Sequence, residues 1–453
     1  MTSPDVHVIG GGLAGSEAAY FFAENGFHVA IHEMRPTLMT PAHKTEKCAE
    51  LVCSNSFKSQ SPESAPGMLK AEMKQMGSLI LKAAAAASIP GGEALVVDRE
   101  QFADDVSRTL RSHPNITFIQ EEATSSFKDG ITLIATGPLT SDRLSQWLVE
   151  ATGAEDLYFY DAIAPIIDAS SIDLNHAFLA NRYGKGDEDA YLNCPLSQAD
   201  YSAFIDALLA GEKVPPKAFE KEIYFQGCQP IEAIAAAGRE SLRFGPMKPV
   251  GLVNPDSDVQ AHAVIQLRPE NEAKTAYNMV GFQTKLKYPE QSRIFRTIPA
   301  LRNAEFLRLG SIHRNTYVCG PRVLRPDLSL KGHPQVYLAG QITGVEGYLE
   351  SAACGMLSAI FILQRLKKLP HQAPPANTAL GALLKHILGS DPKHYGPSNI
   401  HFGLFDPHLF ENMNGKKKDE SRKMMASQAI ENFCRWTTHA EITQERTHGH
   451  LSF

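Results

Sequence analysis

The chain has 453 residues, 43% of them hydrophobic and 21% charged, with a formal net charge of −6. That length exceeds one simple core and predicts two or three units, and the apolar and charged shares are those of an ordinary globular protein. No run of about 18 apolar residues marks a membrane span, the start "MTSPDVHVIGGG" lacks a basic, cleavable secretory segment, and the small negative charge argues weakly against nucleic acid, so a cytoplasmic chain is expected in which any polyanion site arises from local charge.

The first 36 residues predict strand, Gly-rich turn, helix and strand. Val6, Val8 and Ile9 form a short buried strand, Ala14 to Asn25 has helical apolar spacing closed by Gly26, and Val29 to Glu33 forms the second strand. The turn between them, Gly10-Gly11-Gly12-Leu13-Ala14-Gly15, fits G-x-G-x-x-G. One glycine permits the tight turn, the next lets the backbone approach a pyrophosphate, and the third lets helix and strand pack closely. The helix N-terminus offers N–H groups to phosphates, and Glu33 stands where an acid bonds ribose hydroxyls. A bare Gly-rich turn is the plainer alternative, but strand, helix and acid are all in place for a dinucleotide.

Residues 67–87 predict one helix, "ALVVDREQFADDVSRTL" a strand and an amphipathic helix, and "ITFIQEEATSSF" and "GITLIATGP" strands. The last returns to the nucleotide edge of the sheet. From about 160 to 320 the pattern breaks into short strands such as "EIYFQGC", "AHAVIQL" and "AYNMVGFQT", with a helix at "QADYSAFIDALLAG" and punctuating prolines. "PQVYLAGQITGVEGYLESAACGMLSAIFILQRLKKL" restores the first pattern: a strand over Val336 to Ala339, Gly-rich loops and a long apolar helix. "HQAPPANT" is a linker, and the charged "GKKKDESRK" precedes a last helix from Met424 to Trp436. The expected fold is α/β: a glutathione-reductase-like FAD-binding Rossmann domain in two parts, 1–160 and 321–453, with a mixed α+β domain inserted at 161–320. FAD is favoured over NAD because a late Gly-rich element replaces a regular run of further βα units. As in flavoproteins of the glutathione-reductase type, that element would close over ribitol and flavin.

Seven cysteines, at 48, 53, 194, 228, 319, 354 and 434, show no C-x-x-C pair. Most such thiols are small buried apolar residues. Histidines show neither H-x-x-H nor H-E-x-x-H spacing, so no metal site is expected. Between Arg239 and Lys331 there are 15 Lys and Arg against 8 Asp and Glu, a local excess of 7. Arg239, Arg243, Lys285, Lys287, Arg293, Arg296, Arg302, Arg308 and Arg314 supply much of it; either they contact phosphates or they form a solvated face. Phe244, Tyr277, Phe282 and Tyr288 are available to stack on bases, though core roles are the plainer reading. His313, in "HRNTY", reads as a structural histidine.

The ordered set "GGGLAGSEAA", "HEMRP", "ELVCSNSFKS", "VVDRE", "ATGP", "GCQPIE", "MKPVGL", "GFQTKLKYPEQ", "RTIPAL", "HRNTY" and "LAGQITGVEGYLESAACG" closely resembles the folate- and FAD-dependent tRNA (uracil-5-)-methyltransferases. The resemblance runs to at least "HFGLF". The first motif alone also resembles the larger FAD-dependent tRNA wobble-uridine modification protein, while "CSNSF" and "GCQPIE" single out the methyltransferases. Two small departures are Tyr288, where an aromatic residue is often Trp, and a Gln in "FQGCQPIE" where an acid is more usual.

The resemblance implies 5-methyluridine formation at uridine 54 of the tRNA T-loop, 5,10-methylenetetrahydrofolate as carbon donor, tightly bound FAD, and NADPH or NADH as reductant. It implies catalytic roles for Cys53 and Cys228, one as nucleophile and one as general acid or base. Cys53 needs a positive neighbour to ionise, and Lys58 and Arg99 are candidates. Cofactor contacts are expected from Gly10, Gly11, Gly12, Leu13, Ala14, Gly15, Glu33, Arg99, Thr136, Gly137, Gly340, Gln341, Gly344, Gly347 and Tyr348. RNA contacts are expected from Arg239, Arg243, Lys285, Lys287, Arg293, Arg296 and Arg314. The alternatives are the same chemistry on a ribosomal RNA uridine, a small-molecule flavin oxidoreductase, and a flavin-bound RNA scaffold. No sequence feature sets the oligomeric state.

Overall fold

The computed structural model describes residues 3–153, 158–184, 191–214, 229–255, 260–271, 273–393, 395–410 and 418–439. Its first layer is a five-stranded parallel sheet ordered Val336–Leu338, Ile131–Ile134, Val6–Ile9, Val29–His32, Ile116–Ile119. Val6 pairs with both Val29 and Ile131, so the first strand is central. All four of its residues are buried, as expected where helices cover both faces of a parallel sheet.

Helix Leu13–Glu24 packs on this sheet against helix Tyr348–Leu366. Gly355 permits the close approach, since a Cβ there would collide with the Ala14 carbonyl. Tyr348–Leu366 is long and apolar enough to cross a membrane by length and composition, but 89% of that window is buried inside the fold. Its continuous apolar surface is explained by neighbours on all sides.

The second layer is a six-stranded antiparallel sheet ordered Phe178–Leu179, Leu192–Leu196, Ala263–Pro269, Ala276–Met279, Ile166–Asp168, Phe306–Arg308. Helices Gln198–Ala210 and Tyr288–Phe295 contribute to its separate hydrophobic core. The antiparallel pair Tyr158–Ile163 and Ser311–Thr316 carries the chain out of the first layer and back.

Two sequence expectations change. Residues 67–87 are not one helix but two, Ala65–Gln75 and Leu79–Ala86. Gly77 sits at φ +77°, which breaks the first, and the Ser78 hydroxyl accepts from the Leu81 N–H to start the second. The last helix runs from Lys418 to His439, beginning inside the charged segment, because Lys, Glu and Arg are themselves good helix formers.

Candidate functional site

The carboxyl ends of the parallel strands open onto a cleft of about 960 Å³, its open mouth included. Gly10, Gly12, Leu13, Ala14, Glu33, Thr136, Gly137, Gln341 and Tyr348 line it. His32 and Arg35, which lie in the "HEMRP" motif but had been given no role, line it too, as do Glu121 and Thr140, which no motif had marked.

The glycines of the turn divide by role. Gly10 has φ +102°, and a Cβ there would meet the Ala135 carbonyl oxygen at 2.9 Å. At Gly15 a Cβ would fall on the Gly10 carbonyl, so this position closes helix onto strand. At Gly12 a Cβ would meet nothing within 4 Å. Gly12 is also the N-cap of helix Leu13–Glu24 and offers no side-chain cap, so the helix N–H groups face open space. Bare N–H groups at a helix N-terminus, space where a side chain would project and a carboxylate on the next strand are the features that fit the phosphates and ribose of FAD.

Glu33 accepts from the Gly11 N–H at 2.8 Å and from Arg35 Nε at 2.9 Å. Burial works to raise its pKa, but the Arg35 guanidinium and the backbone N–H groups outweigh it and hold the carboxylate below its ordinary value. An ionised acceptor is therefore ready beside the Gly-rich turn. Gly11 reaches the site through Glu33 rather than by lining it.

Five other predicted contacts, Gly15, Arg99, Gly340, Gly344 and Gly347, lie outside the lining. Gly340, Gly344 and Gly347 all have positive φ, and a Cβ there would strike Ala14, Tyr395 and the Glu350 carboxylate respectively. They shape the loop ahead of helix Tyr348–Leu366. Arg99 donates from Nη1 to the Leu51 carbonyl at 2.6 Å, from Nη2 to the Cys53 carbonyl at 2.9 Å, and pairs with Glu270. It serves the cysteine loop.

That loop adjoins the cleft, with Glu50 and Val52 in its wall. Cys53 is half-buried and reduced. Its backbone N–H donates to the Tyr348 hydroxyl at 2.7 Å, and the Ser54 N–H donates to the same oxygen at 3.1 Å. Arg308 Nη2 donates to the Val52 carbonyl, and Arg268 Nε donates to the Asn55 side chain at 2.9 Å. Lys58 faces elsewhere, with Nζ on the Glu350 carboxylate at 2.5 Å and on Asn399. Arg99 and Arg308, rather than Lys58, are thus the cations at Cys53. Arg308 had counted among the basic residues of the middle segment; its role is hidden in sequence by the 256 positions separating it from Val52.

The thiols given no catalytic role divide by exposure. Cys48, Cys194 and Cys354 are buried, and burial pushes the Cys48 pKa up to about 11 and Cys194 to about 12. Cys319 is half-buried and Cys434 is exposed. Cys228 lies outside the described residues, as do the side chains of His313, Arg314 and Asn315.

Arg239 pairs with Asp206 at 2.7 Å, Lys287 with Glu212 at 2.7 Å, Arg293 with Glu290 at 2.6 Å, and Arg243 with Glu240. Arg296 donates to the Ala304 carbonyl, and Lys285 is half-buried. The basic residues therefore sit among acids. Tyr277 and Phe282 are core residues, whereas Phe244 is 82% exposed and Tyr288 58%.

The family described as Glucose inhibited division protein A matches residues 5–370. A protein of Geobacter sulfurreducens named methylenetetrahydrofolate–tRNA-(uracil-5-)-methyltransferase TrmFO is 50% identical over 432 residues, 95% of this chain and 98% of that one. One of the same name from Moorella thermoacetica is 51% identical over 433 residues, 95% of this chain and 97% of that one. Among solved structures, Aquifex aeolicus GidA superposes with a TM-score of 0.68 at 16% identity, covering 98% of this chain and 77% of that one. At that identity the likeness supports the fold alone.

Proposed function

This chain belongs to the methylenetetrahydrofolate–tRNA-(uracil-5-)-methyltransferase family, and from that premise we propose how its own residues serve the reaction. It is a folate-dependent tRNA uracil-5 methyltransferase on an FAD-binding fold. The ribosomal-RNA and small-molecule alternatives are not favoured by relatives so similar over nearly the whole chain. The observation that carries our reading of the site is that Tyr348 both lines the dinucleotide cleft and holds the Cys53 backbone. In this reading a cofactor bound in the cleft lies beside the loop that carries the thiol.

Carbon 5 of uracil is a poor nucleophile until a thiolate adds to carbon 6 and makes an enolate. In this reading one of Cys53 and Cys228 adds to carbon 6, and carbon 5 then bonds to the one-carbon unit of methylenetetrahydrofolate. The other cysteine, as thiolate, takes the carbon-5 proton, and the bond from the methylene carbon to the folate nitrogen breaks to release tetrahydrofolate. Once hydride has reached that methylene carbon, the added sulfur leaves carbon 6 as thiolate. FAD, when bound in its reduced form, supplies the hydride that completes the methyl group. Gly12 and the helix N-terminus hold its phosphates, Glu33 its ribose, and Tyr348 keeps Cys53 in place. NADPH or NADH is the reductant and uridine 54 of the T-loop the target. Residues 161–320 form the inserted unit that carries RNA on its basic face, and 1–160 with 321–453 form the cofactor unit. A cytoplasmic location goes with a tRNA substrate.

The test offers T-loop and ribosomal RNA fragments side by side with labelled methylenetetrahydrofolate and NADPH. Label is expected in the T-loop fragment, and its loss in both Cys53→Ala and Cys228→Ala with flavin still bound. Activity surviving in both variants, or label appearing only in the ribosomal fragment, overturns the reading.

A further inference from the structure

Three consecutive backbone carbonyls, those of Leu51, Val52 and Cys53, each accept from a guanidinium. Arg99, the first residue of helix Arg99–Arg111, takes the outer two, and Arg308, at the end of strand Phe306–Arg308, takes the middle one. Neutral donors would satisfy carbonyls equally well. Two guanidinium groups instead bring like charges together in a half-buried place, which costs desolvation and repulsion. Burial, followed by the nearby Arg99 charge, lowers the Arg308 pKa accordingly.

Glu270 compensates part of this. Its carboxylate pairs with Arg99. Among the described residues no carboxylate forms an ion pair with Arg308. Arg268 adds a third guanidinium through Asn55. The groups that act electrostatically on one another here are Arg99, Arg308, Glu270, Tyr348 and Cys53. Burial keeps the Tyr348 hydroxyl neutral. Among the described residues the three guanidinium groups thus exceed Glu270, and a thiolate at Cys53 offsets part of that excess.

We propose that Arg308 is a positioning residue whose charge keeps the Cys53 sulfur as thiolate at neutral pH, the proton passing to solvent, while its hydrogen bond fixes the loop carrying that sulfur. The proposal rests on the reading that Cys53 reacts. It assigns to Arg308 a task inside the site rather than on an RNA-facing surface. It also gives the inserted sheet a part in the chemistry, because that sheet supplies Arg308, Arg268 and Glu270 to a loop of the cofactor layer.

The experiment measures iodoacetamide alkylation of Cys53 against pH in flavin-loaded protein, with the modified peptide identified by mass spectrometry. Wild type should show an inflection below the roughly 8.5 of a free thiol. Arg308→Met should raise it by about one unit, a loss of roughly tenfold in alkylation rate at neutral pH, and Arg308→Lys should restore most of that rate. Glu270→Gln should move the inflection the other way, since it removes the carboxylate that pairs with Arg99. A purely structural disturbance would shift Arg308→Met and Glu270→Gln in the same direction. That result, or an inflection unmoved by Arg308→Met, overturns the proposal, and should Arg308→Met fail to fold, Arg308→Lys against Glu270→Gln decides it. Wild-type tRNA methylation is assayed separately, so a failure there with the shifts intact would fall on the functional reading alone.

Discussion

The Cys53 backbone N–H and the Tyr348 hydroxyl meet at 2.7 Å across 295 positions of sequence. Tyr348 opens the helix that follows the late Gly-rich loop, so the bond ties the end of the cofactor layer to a loop near its beginning. Two N–H groups, those of Cys53 and Ser54, depend on that one oxygen.

Tyr348→Phe keeps the ring in the cleft and removes the acceptor. Leaving a part-buried N–H unpaired costs about 1–3 kcal/mol. The loop should loosen, and kcat for methyl transfer should fall by about tenfold or more, with flavin content near wild type. Steady-state kinetics beside flavin absorbance check this; an unchanged kcat would show that the loop is held without the hydroxyl.

Gly12 and Gly15 should fail differently although they are neighbours in one motif. A Cβ at Gly12 enters open space, so Gly12→Val should fold with native circular dichroism yet lose FAD affinity by 100-fold or more. At Gly15 a Cβ would collide with the Gly10 carbonyl, so Gly15→Ala should fold poorly before binding is tested. Flavin titration and thermal melts of both variants separate the two outcomes.

The same contrast shows what the sequence made legible. The Gly-rich turn, the strands beside it and Glu33 follow from local period and backbone need, which a short window contains. The setting of Cys53 does not. Its carbonyl partner Arg99 is 46 positions away, and Arg308 lies 256 positions from Val52, so spacing carries no trace of either. Lys58 was the nearer cation in sequence and is turned to Glu350 and Asn399 instead. Composition likewise revealed an excess of basic residues but not that Asp206, Glu212, Glu240 and Glu290 sit beside them.

Those acids yield a prediction of opposite signs for RNA. Exposed ion pairs are weak and exchange readily for phosphate. Arg239→Ala with Lys287→Ala should weaken tRNA binding and reduce the slope of log affinity against log salt by about 1.5 for two lost contacts. Asp206→Asn and Glu212→Gln, which free the same cations, should tighten it. Binding isotherms over a salt series decide, and equal slopes in all variants would remove this face from the RNA interface.

Stability should also depend on pH through Glu72. Its carboxyl is buried and accepts from the Ala379 and Leu380 N–H groups, at 2.6 and 2.8 Å, at the start of helix Ala379–Gly389. Burial raises its pKa from an ordinary 4.5 to about 8, against the pull of those two N–H groups. The folded state thus keeps a proton that the unfolded chain has already released. The resulting stabilisation is complete below about 4.5 and is lost as pH rises toward 8. Glu17, raised by burial to about 7, adds a loss of the same sign. Lys70, lowered by burial to about 7, acts oppositely above that pH, because there the unfolded chain binds the extra proton. Between about pH 5 and 7 Glu72 and Glu17 therefore pull the thermal midpoint down as pH rises, as Glu232 does, against His7, His32, His371 and His386, whose pKa values burial lowers. The fall due to Glu72 is read by difference from its variant. Glu72→Gln should flatten that fall and lower the midpoint throughout, since an amide NH₂ would face one of the two N–H donors. Equal pH slopes in the two proteins would mean that Glu72 ionises in the fold at its ordinary value.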